Sequence, residues 1–275
     1  WKGSITQGWV PGRKLYCGVG AGTPGGNMTK RQHWSTDELD ALIFDLDGVI
    51  TQTAALHMRA WKQLFDEYLR EYRTRTGEAV ELYNGKEDYL KFIDGVPRYD
   101  GVRNLLESRG IRLPWGNPDD PPGEETVCGL GNRKNRMFLE FLEKDGVQVF
   151  EDTIEKINQW RREGLSTAVI SSSKNCKPIL ETAGIGDLFD VRVDGVISEE
   201  EQIRGKPAPD IFLEAARRLG ADPSRSAVFE DAVSGVKAGA AGAFRYVIGV
   251  ARKNPKEVLY RNGATIAIHS FNELH

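Results

Sequence analysis

The chain has 275 residues, is 40% hydrophobic and 28% charged, and carries 37 basic against 40 acidic side chains, a net charge of −3. Residues 1–36 hold five basic residues (Lys2, Arg13, Lys14, Lys30 and Arg31) and no acidic one, so the rest of the chain carries −8. An acidic body argues against a general nucleic-acid partner, which needs a basic face, and no apolar run approaches the ~18 residues of a membrane span.

Residues 1–27 contain eight glycines and no charged-then-apolar leader pattern. Gly20, Gly22 and Gly25 match G-x-G-x-x-G. Thr23-Pro24 inside the match and Gly26-Asn27 after it do not suit the strand-to-helix turn that motif requires. Residues 1–36 therefore read as a flexible Gly-rich basic lead: a tag, a linker or an upstream remnant, with Met28 a candidate start. Cys17, Cys128 and Cys176 are too widely spaced for a zinc site or a disulfide framework. A reducing, cytoplasmic setting is expected.

Regular texture begins near residue 40. Ala41–Phe44 is a short apolar run ending in Asp45-Leu46-Asp47-Gly48, which predicts a buried strand and a turn. Residues 54–75 show helical periodicity, and 87–93, 99–109, 131–144 and 151–163 read as further helices around a Pro-rich loop at 117–123. Then strands and helices alternate. Strands are expected at 166–170, 191–196, 227–229 and 246–250, with helices at 175–183, 209–219 and 233–241. That alternation predicts an α/β fold, a Rossmann-like parallel sheet with helices on both faces. Residues 53–150 read as an inserted, mostly α-helical cap domain, and 37–52 with 151–275 as the core domain.

In such a sheet ligands bind beyond the carboxyl ends of the strands. Asp45 and Asp47 follow the first strand, two apart and so on one side of an extended segment. Asp-Gly-Val alone says nothing, because it occurs at Asp47, Asp94, Asp100, Asp145 and Asp194. Only Asp47 follows a buried strand and a second Asp. Ser171-Ser172-Ser173-Lys174-Asn175 follows the second strand and opens a helix, which suits an anion. Lys206-Pro207 precedes the 209–219 helix, and Glu230-Asp231 follows the 227–229 strand. Four carboxylates this close repel unless a cation intervenes, and oxygen-only ligands suit Mg²⁺.

This ordered set resembles the haloacid dehalogenase superfamily of phosphotransferases, over about residues 40–251. Within it the chain is most similar to the β-phosphoglucomutase branch. Thr53, His57 and Trp61, then Gly95-Val96-Pro97-Arg98, then Arg133-Lys134-Asn135, carry that closer likeness. Two features depart from the branch: Asp94 where a basic residue is expected, and a longer cap loop at about 111–128.

The resemblance implies Mg²⁺-dependent phosphoryl transfer on a hexose phosphate, with a sugar-phosphate phosphatase as the alternative. A non-catalytic binding module on this fold is the remote third reading. Asp45 is the implied nucleophile, Asp47 the general acid/base, and Lys206 and Ser171 their catalytic partners. Mg²⁺ is implied at Asp45, the Asp47 carbonyl, Glu230 and Asp231. Thr53, His57, Trp61, Arg98, Ser172, Ser173, Lys174 and Asn175 are the candidate substrate-binding residues. Arg98 is the cap candidate for a second phosphate, which Arg133 or Lys134 would assist; Arg98 is also readable as an exposed arginine, His57–Trp61 as a helix-packing pair, and Arg133-Lys134 as a solvated helix face with Arg136. The expected partner is a small sugar phosphate. Membership of a larger sugar-metabolising polypeptide stays open.

Overall fold

The computed structural model describes residues 33–93 and 96–275. Most of the lead, with Cys17, and the departure at Asp94 lie outside the described residues, as does Gly95. Six parallel strands form one sheet: β1 Ala41–Asp45, β2 Ser166–Ile170, β3 Val191–Val193, β4 Ser226–Glu230, β5 Tyr246–Val250 and β6 Ile266–Ile268, in the order β3-β2-β1-β4-β5-β6. β1 is central, and all five of its residues are buried. Covering both faces of a parallel sheet demands continuous apolar runs, which is why β1 reads Ala-Leu-Ile-Phe. Alternate β1 residues join opposite layers. Leu42 and Phe44 face the layer of Trp160, Phe229 and Phe271. Ile43 faces that of Phe212, Val228 and Val236.

The strand order reverses at β1, with β2 on one side and β4 on the other. Register sets Asp45 opposite Ile170 and Phe44 opposite Phe229. The last residue of β1, the residues after β2 and the last residue of β4 therefore share one sheet edge. A crevice opens at such a switch point.

Helices α1 (Ala54–Thr76), α2 (Gly85–Asp88, continuing as a π turn to Ile93), α3 (Arg98–Ser108), α4 (Val127–Asp145) and α5 (Glu151–Arg162) separate β1 from β2. The chain leaves and returns to the sheet side by side. The Gln52 N–H donates to the Gln148 carbonyl and the Phe150 N–H to that of Ile50, both at 2.9 Å. The remaining helices are α6 (Cys176–Ala183), α7 (Gly195–Glu200), α8 (Asp210–Leu219), α9 (Val233–Ala241) and α10 (Lys256–Arg261). None of the described helices is long and apolar enough to cross a membrane.

Three local readings are corrected. The strand expected over 191–196 stops at Val193, because Asp194 Oδ1 accepts from the N–H groups of Val196 and Ile197 and caps α7. α4 starts four residues early, at Val127, where the Thr126 hydroxyl accepts from the Gly129 N–H at 2.9 Å. β6 and α10 were not anticipated. They are only three and six residues long, too short for a period to show.

Candidate functional site

Asp45 and Glu230 end β1 and β4, and Asp231 follows at once. One carboxylate oxygen from each lies within 4.8 Å of the other two, and all three residues are buried. Lys206, from the loop before α8, donates to Asp45 Oδ1 and to Glu230 Oε1, the latter at 3.1 Å. Burial works against the charge on Lys206, but the two carboxylates outweigh it and hold its pKa above the usual lysine range. Burial, then repulsion from Asp45, pushes Glu230 well up and raises Asp231.

Glu230 Oε2 is buried and has no hydrogen-bond partner among the described residues. An all-oxygen donor set, excess negative charge and an orphaned carboxylate oxygen together fit a divalent cation. Two glycines make room for the cluster. Gly48 has φ +90°, and a Cβ there would overlap Asp231 Oδ2. A Cβ on Gly235, in the first turn of α9, would overlap Glu230 Oε1.

The Asp47 carboxylate stands beside this triad, not within it. Its Oδ1 accepts from the Thr53 hydroxyl, and the Ser171 hydroxyl lies 3.4 Å from Oδ2. Burial first and Asp45 second raise its pKa. A carboxyl group that keeps its proton more readily than usual, beside one that is ion-paired, is the arrangement of a general acid next to a nucleophile.

After β2 the chain makes successive hydroxyl-capped turns. The Ser173 N–H donates to Ser171 Oγ at 3.0 Å, and the Asn175 N–H to Ser173 Oγ at 3.1 Å. Asn175 Nδ2 reaches Asn135 Oδ1 on α4 at 2.7 Å. Ser172 is exposed. Lys174 is not brought to the cluster: its ammonium is paired with Glu199 on α7 and is half exposed.

Across α1, α3 and α4 a second, cationic group forms. Lys134 is 3% exposed, so it is no solvated-face residue. Its Nζ lies 2.7 Å from His57 Nδ1 and about 5 Å over the rings of Trp61 and Phe138. Burial, then the Arg98 charge, lowers its pKa to about 7, while Asp47 pulls the other way. Burial and then Lys134 drive His57 well below its ordinary range. A neutral His57 accepts at Nδ1 from Lys134 and stacks on Phe138 at 4.3 Å. Trp61 is buried and stacked on Phe65. Arg98, half-buried, is held below its usual pKa by desolvation. Neither Arg98 nor Lys134 has a carboxylate partner among the described residues. Arg133, only partly exposed, pairs instead with Glu67 and Glu71 of α1.

Sequence reasoning missed Gly235 and the loop after β5. There Asn254 Nδ2 donates to the Asp231 carbonyl at 2.9 Å, and Lys253 Nζ lies 3.9 Å from Asp231 Oδ2. A glycine inside a helix costs ~1 kcal/mol against alanine, so Gly235 itself signalled a close approach. Leu130, Lys134 and Phe138 fall at i, i+4 and i+8, which marks Lys134 for the buried face of α4.

A capped parallel α/β core with a metal-competent carboxylate cluster at its switch point is an enzyme scaffold. The haloacid dehalogenase-like hydrolase family profile matches residues 39–242, and the chain belongs to that family. It is 48% identical over 241 residues to the β-phosphoglucomutase of Mycobacterium bovis, covering 86% of this chain and 92% of that one. It is 34% identical over 256 residues to an uncharacterized glycosyl hydrolase of Mycobacterium tuberculosis, covering 92% of this chain but 18% of that far longer one. Among solved structures, a β-phosphoglucomutase from Clostridium difficile superposes with a TM-score of 0.64 at 24% identity, covering 86% of this chain and 93% of that one. That likeness bears on the fold.

Proposed function

We propose that this chain is a Mg²⁺-dependent hexose-phosphate mutase, β-phosphoglucomutase-like, interconverting β-glucose 1-phosphate and glucose 6-phosphate through an aspartyl-phosphate on Asp45. One observation carries it: the molecule has two anion-receptive sides. One is the Lys206 and hydroxyl-lined carboxylate cluster of the core. The other is the Arg98–Lys134 pair, buried or half-buried and with no carboxylate in ion-pair contact among the described residues. A buried cation without a counter-ion is costly unless a ligand supplies the charge. A phosphatase needs one phosphate site, whereas a mutase working through a bisphosphate needs two.

In this reading the Asp45 carboxylate attacks phosphorus, the Asp45–phosphate bond forms and the sugar–oxygen bond to phosphorus breaks. Asp47 gives its proton to the leaving sugar oxygen, then takes one from the hydroxyl that accepts the phosphoryl group back. Thr53 and Ser171 orient Asp47. Lys206 holds Asp45 in line and offsets its charge. Asp45, the Asp47 carbonyl, Glu230 and Asp231 would hold Mg²⁺, which supplies neutralising charge for the phosphoryl oxygens. Arg98, with its fork of donors, takes the second phosphate. His57 fixes Lys134 beside it, and Trp61 backs both. Ser172, Ser173 and Asn175 belong to the core side, while Lys174 is held away from it by Glu199.

Residues 37–52 and 151–275 would serve as the core domain and 53–150 as the cap that excludes water. A cytoplasmic setting accords with Cys128 and Cys176, which form no disulfide among the described residues. The likeness to a much longer glycosyl hydrolase chain supports membership of a larger sugar-metabolising polypeptide. A paired assay tests the function. β-Glucose 1-phosphate, Mg²⁺ and a trace of glucose 1,6-bisphosphate should give glucose 6-phosphate with little free phosphate. Rapid phosphate release without glucose 6-phosphate would establish the hydrolase instead.

A further inference from the structure

The segment between α3 and α4, residues 109–126, is wrapped against the helix end that carries Arg98. Tyr99, the next residue, donates its hydroxyl to Asn132 Oδ1 at 3.0 Å, with the Pro118 carbonyl 3.4 Å away. Asn132 Nδ2 in turn donates to the carbonyls of Pro118 and Asp120, at 2.9 and 2.8 Å. Trp115 meets the Tyr99 ring edge-on at 6.3 Å, and the Arg103 guanidinium lies 5.3 Å over Trp115. Tyr99 and Arg103 are i and i+4 on α3, so one indole clamps one helix face.

The clamp is itself stiff. The Asp120 carboxylate accepts from the Asn117 N–H at 3.0 Å and the Thr126 hydroxyl at 2.6 Å. The Glu125 carboxylate accepts from Tyr68 at 2.9 Å and from Arg75. From the inner side, α4 closes on the same two residues. A Cβ on Gly131 would stand 2.6 Å from Tyr99 Cδ1 and 3.4 Å from Arg98 Cδ. Arg98 thus leaves a helix end held from both sides.

We infer that residues 111–126, tethered through Tyr99 and Asn132, form a positioning element for Arg98 that sets the preference for a doubly phosphorylated sugar over a singly charged-end ligand. This rests on Arg98 as the ligand of the second phosphate. The physical reason is entropic and geometric. A free arginine carries about 2 kcal/mol of rotamer entropy, and displacement by ~1 Å can cost ~10²-fold in a positioned reaction. Tyr99 and Asn132 touch no ligand in this scheme. They act through Arg98.

The test measures binding of glucose 1,6-bisphosphate and of inorganic phosphate to the full chain with Mg²⁺, in an Asp45→Asn background that blocks transfer. Tyr99→Phe should weaken bisphosphate binding roughly 3- to 10-fold, the worth of one hydrogen bond. Asn132→Ala, which loses three, should weaken it at least as much, and both should leave inorganic phosphate binding unchanged. Arg98→Ala should show the same selectivity with a larger loss. If Arg98→Ala is selective but Tyr99→Phe and Asn132→Ala bind bisphosphate normally, the inference is overturned and Arg98 keeps its role. Equal weakening of both ligands means a merely structural tether, and also overturns it. If Arg98→Ala binds bisphosphate as well as the parent, Arg98 is not the second-phosphate ligand and the inference falls with it.

Discussion

Lys134→Met is expected to make the protein more stable and less active. The lysine pKa falls from 10.5 to about 7, which at ~1.36 kcal/mol per pH unit corresponds to about 5 kcal/mol of unfavourable charge burial. Methionine has a similar length and suits the Trp61 and Phe138 rings beside it. The loss is the bond to His57 Nδ1, which leaves a buried acceptor at a cost of about 1–3 kcal/mol. The net gain is about 2–4 kcal/mol at pH 6, or roughly 5–10 °C in Tm for a chain of this size.

The pH dependence has a definite sign. Below pH 7 folded and unfolded chains both carry the proton, so the full penalty of burying it is present and Met gains most. As pH rises from about 7 toward 10.5 the folded chain sheds the proton before the unfolded one does. The wild type then gains stability and the advantage of Met shrinks. Thermal melts of both proteins at pH 6 and pH 9 read this directly, alongside KM for the sugar phosphate, which should rise in the variant. A variant that melts lower than wild type, or a difference that grows with pH, would refute the idea that Lys134 is an uncompensated buried charge.

A bound phosphate should restore that charge. At pH 8, a lysine titrating near 7 takes up roughly 0.9 proton when an anion arrives beside it. Calorimetry in buffers of different ionisation heat should show uptake, and proton release would contradict the electrostatics. Gly235→Ala pushes on Glu230 Oε1 and should weaken Mg²⁺ binding at least about tenfold. Unchanged metal affinity would remove Glu230 from the metal set. The Arg109–Asp88 pair is buried, at 4% and 9% side-chain exposure, and joins the residue that follows α3 to the last residue of α2. Arg109→Ala should cost about 3–5 kcal/mol by urea denaturation, because it strands Asp88. A cost below ~1 kcal/mol would show that Asp88 is solvated.

The sheet was legible because its central strands are short apolar runs with carboxylates or hydroxyls at their ends. Ala41–Asp45 and Ser226–Glu230 announce both burial and the side on which chemistry collects. Asp45, Asp47, Glu230 and Asp231 follow from that rule, without knowledge of how the strands pair. What escaped depends on contacts between distant segments. The closeness of Gly48 to Asp231, of Gly235 to Glu230 and of Gly131 to Tyr99 exists only after folding. Lys134 was misjudged beside Arg133 because charge was weighed before period: neighbours on a helix point 100° apart, so one meets Glu67 and the other His57. Lys174 shows the converse. Its motif suggests a phosphate ligand, yet α7, unseen because Asp194 was taken as part of a strand, offers it Glu199.

Everything chemical in this scheme passes through one bond, that between Asp45 and phosphorus. Rapid quench of the protein with added Mg²⁺ and glucose 1,6-bisphosphate, followed by peptide mass spectrometry, should find one added phosphoryl group on Asp45. It should be absent from Asp45→Asn, which should also fail to turn over. Turnover by Asp45→Asn, or a wild-type enzyme that isomerises its substrate with the label on another residue, would contradict it.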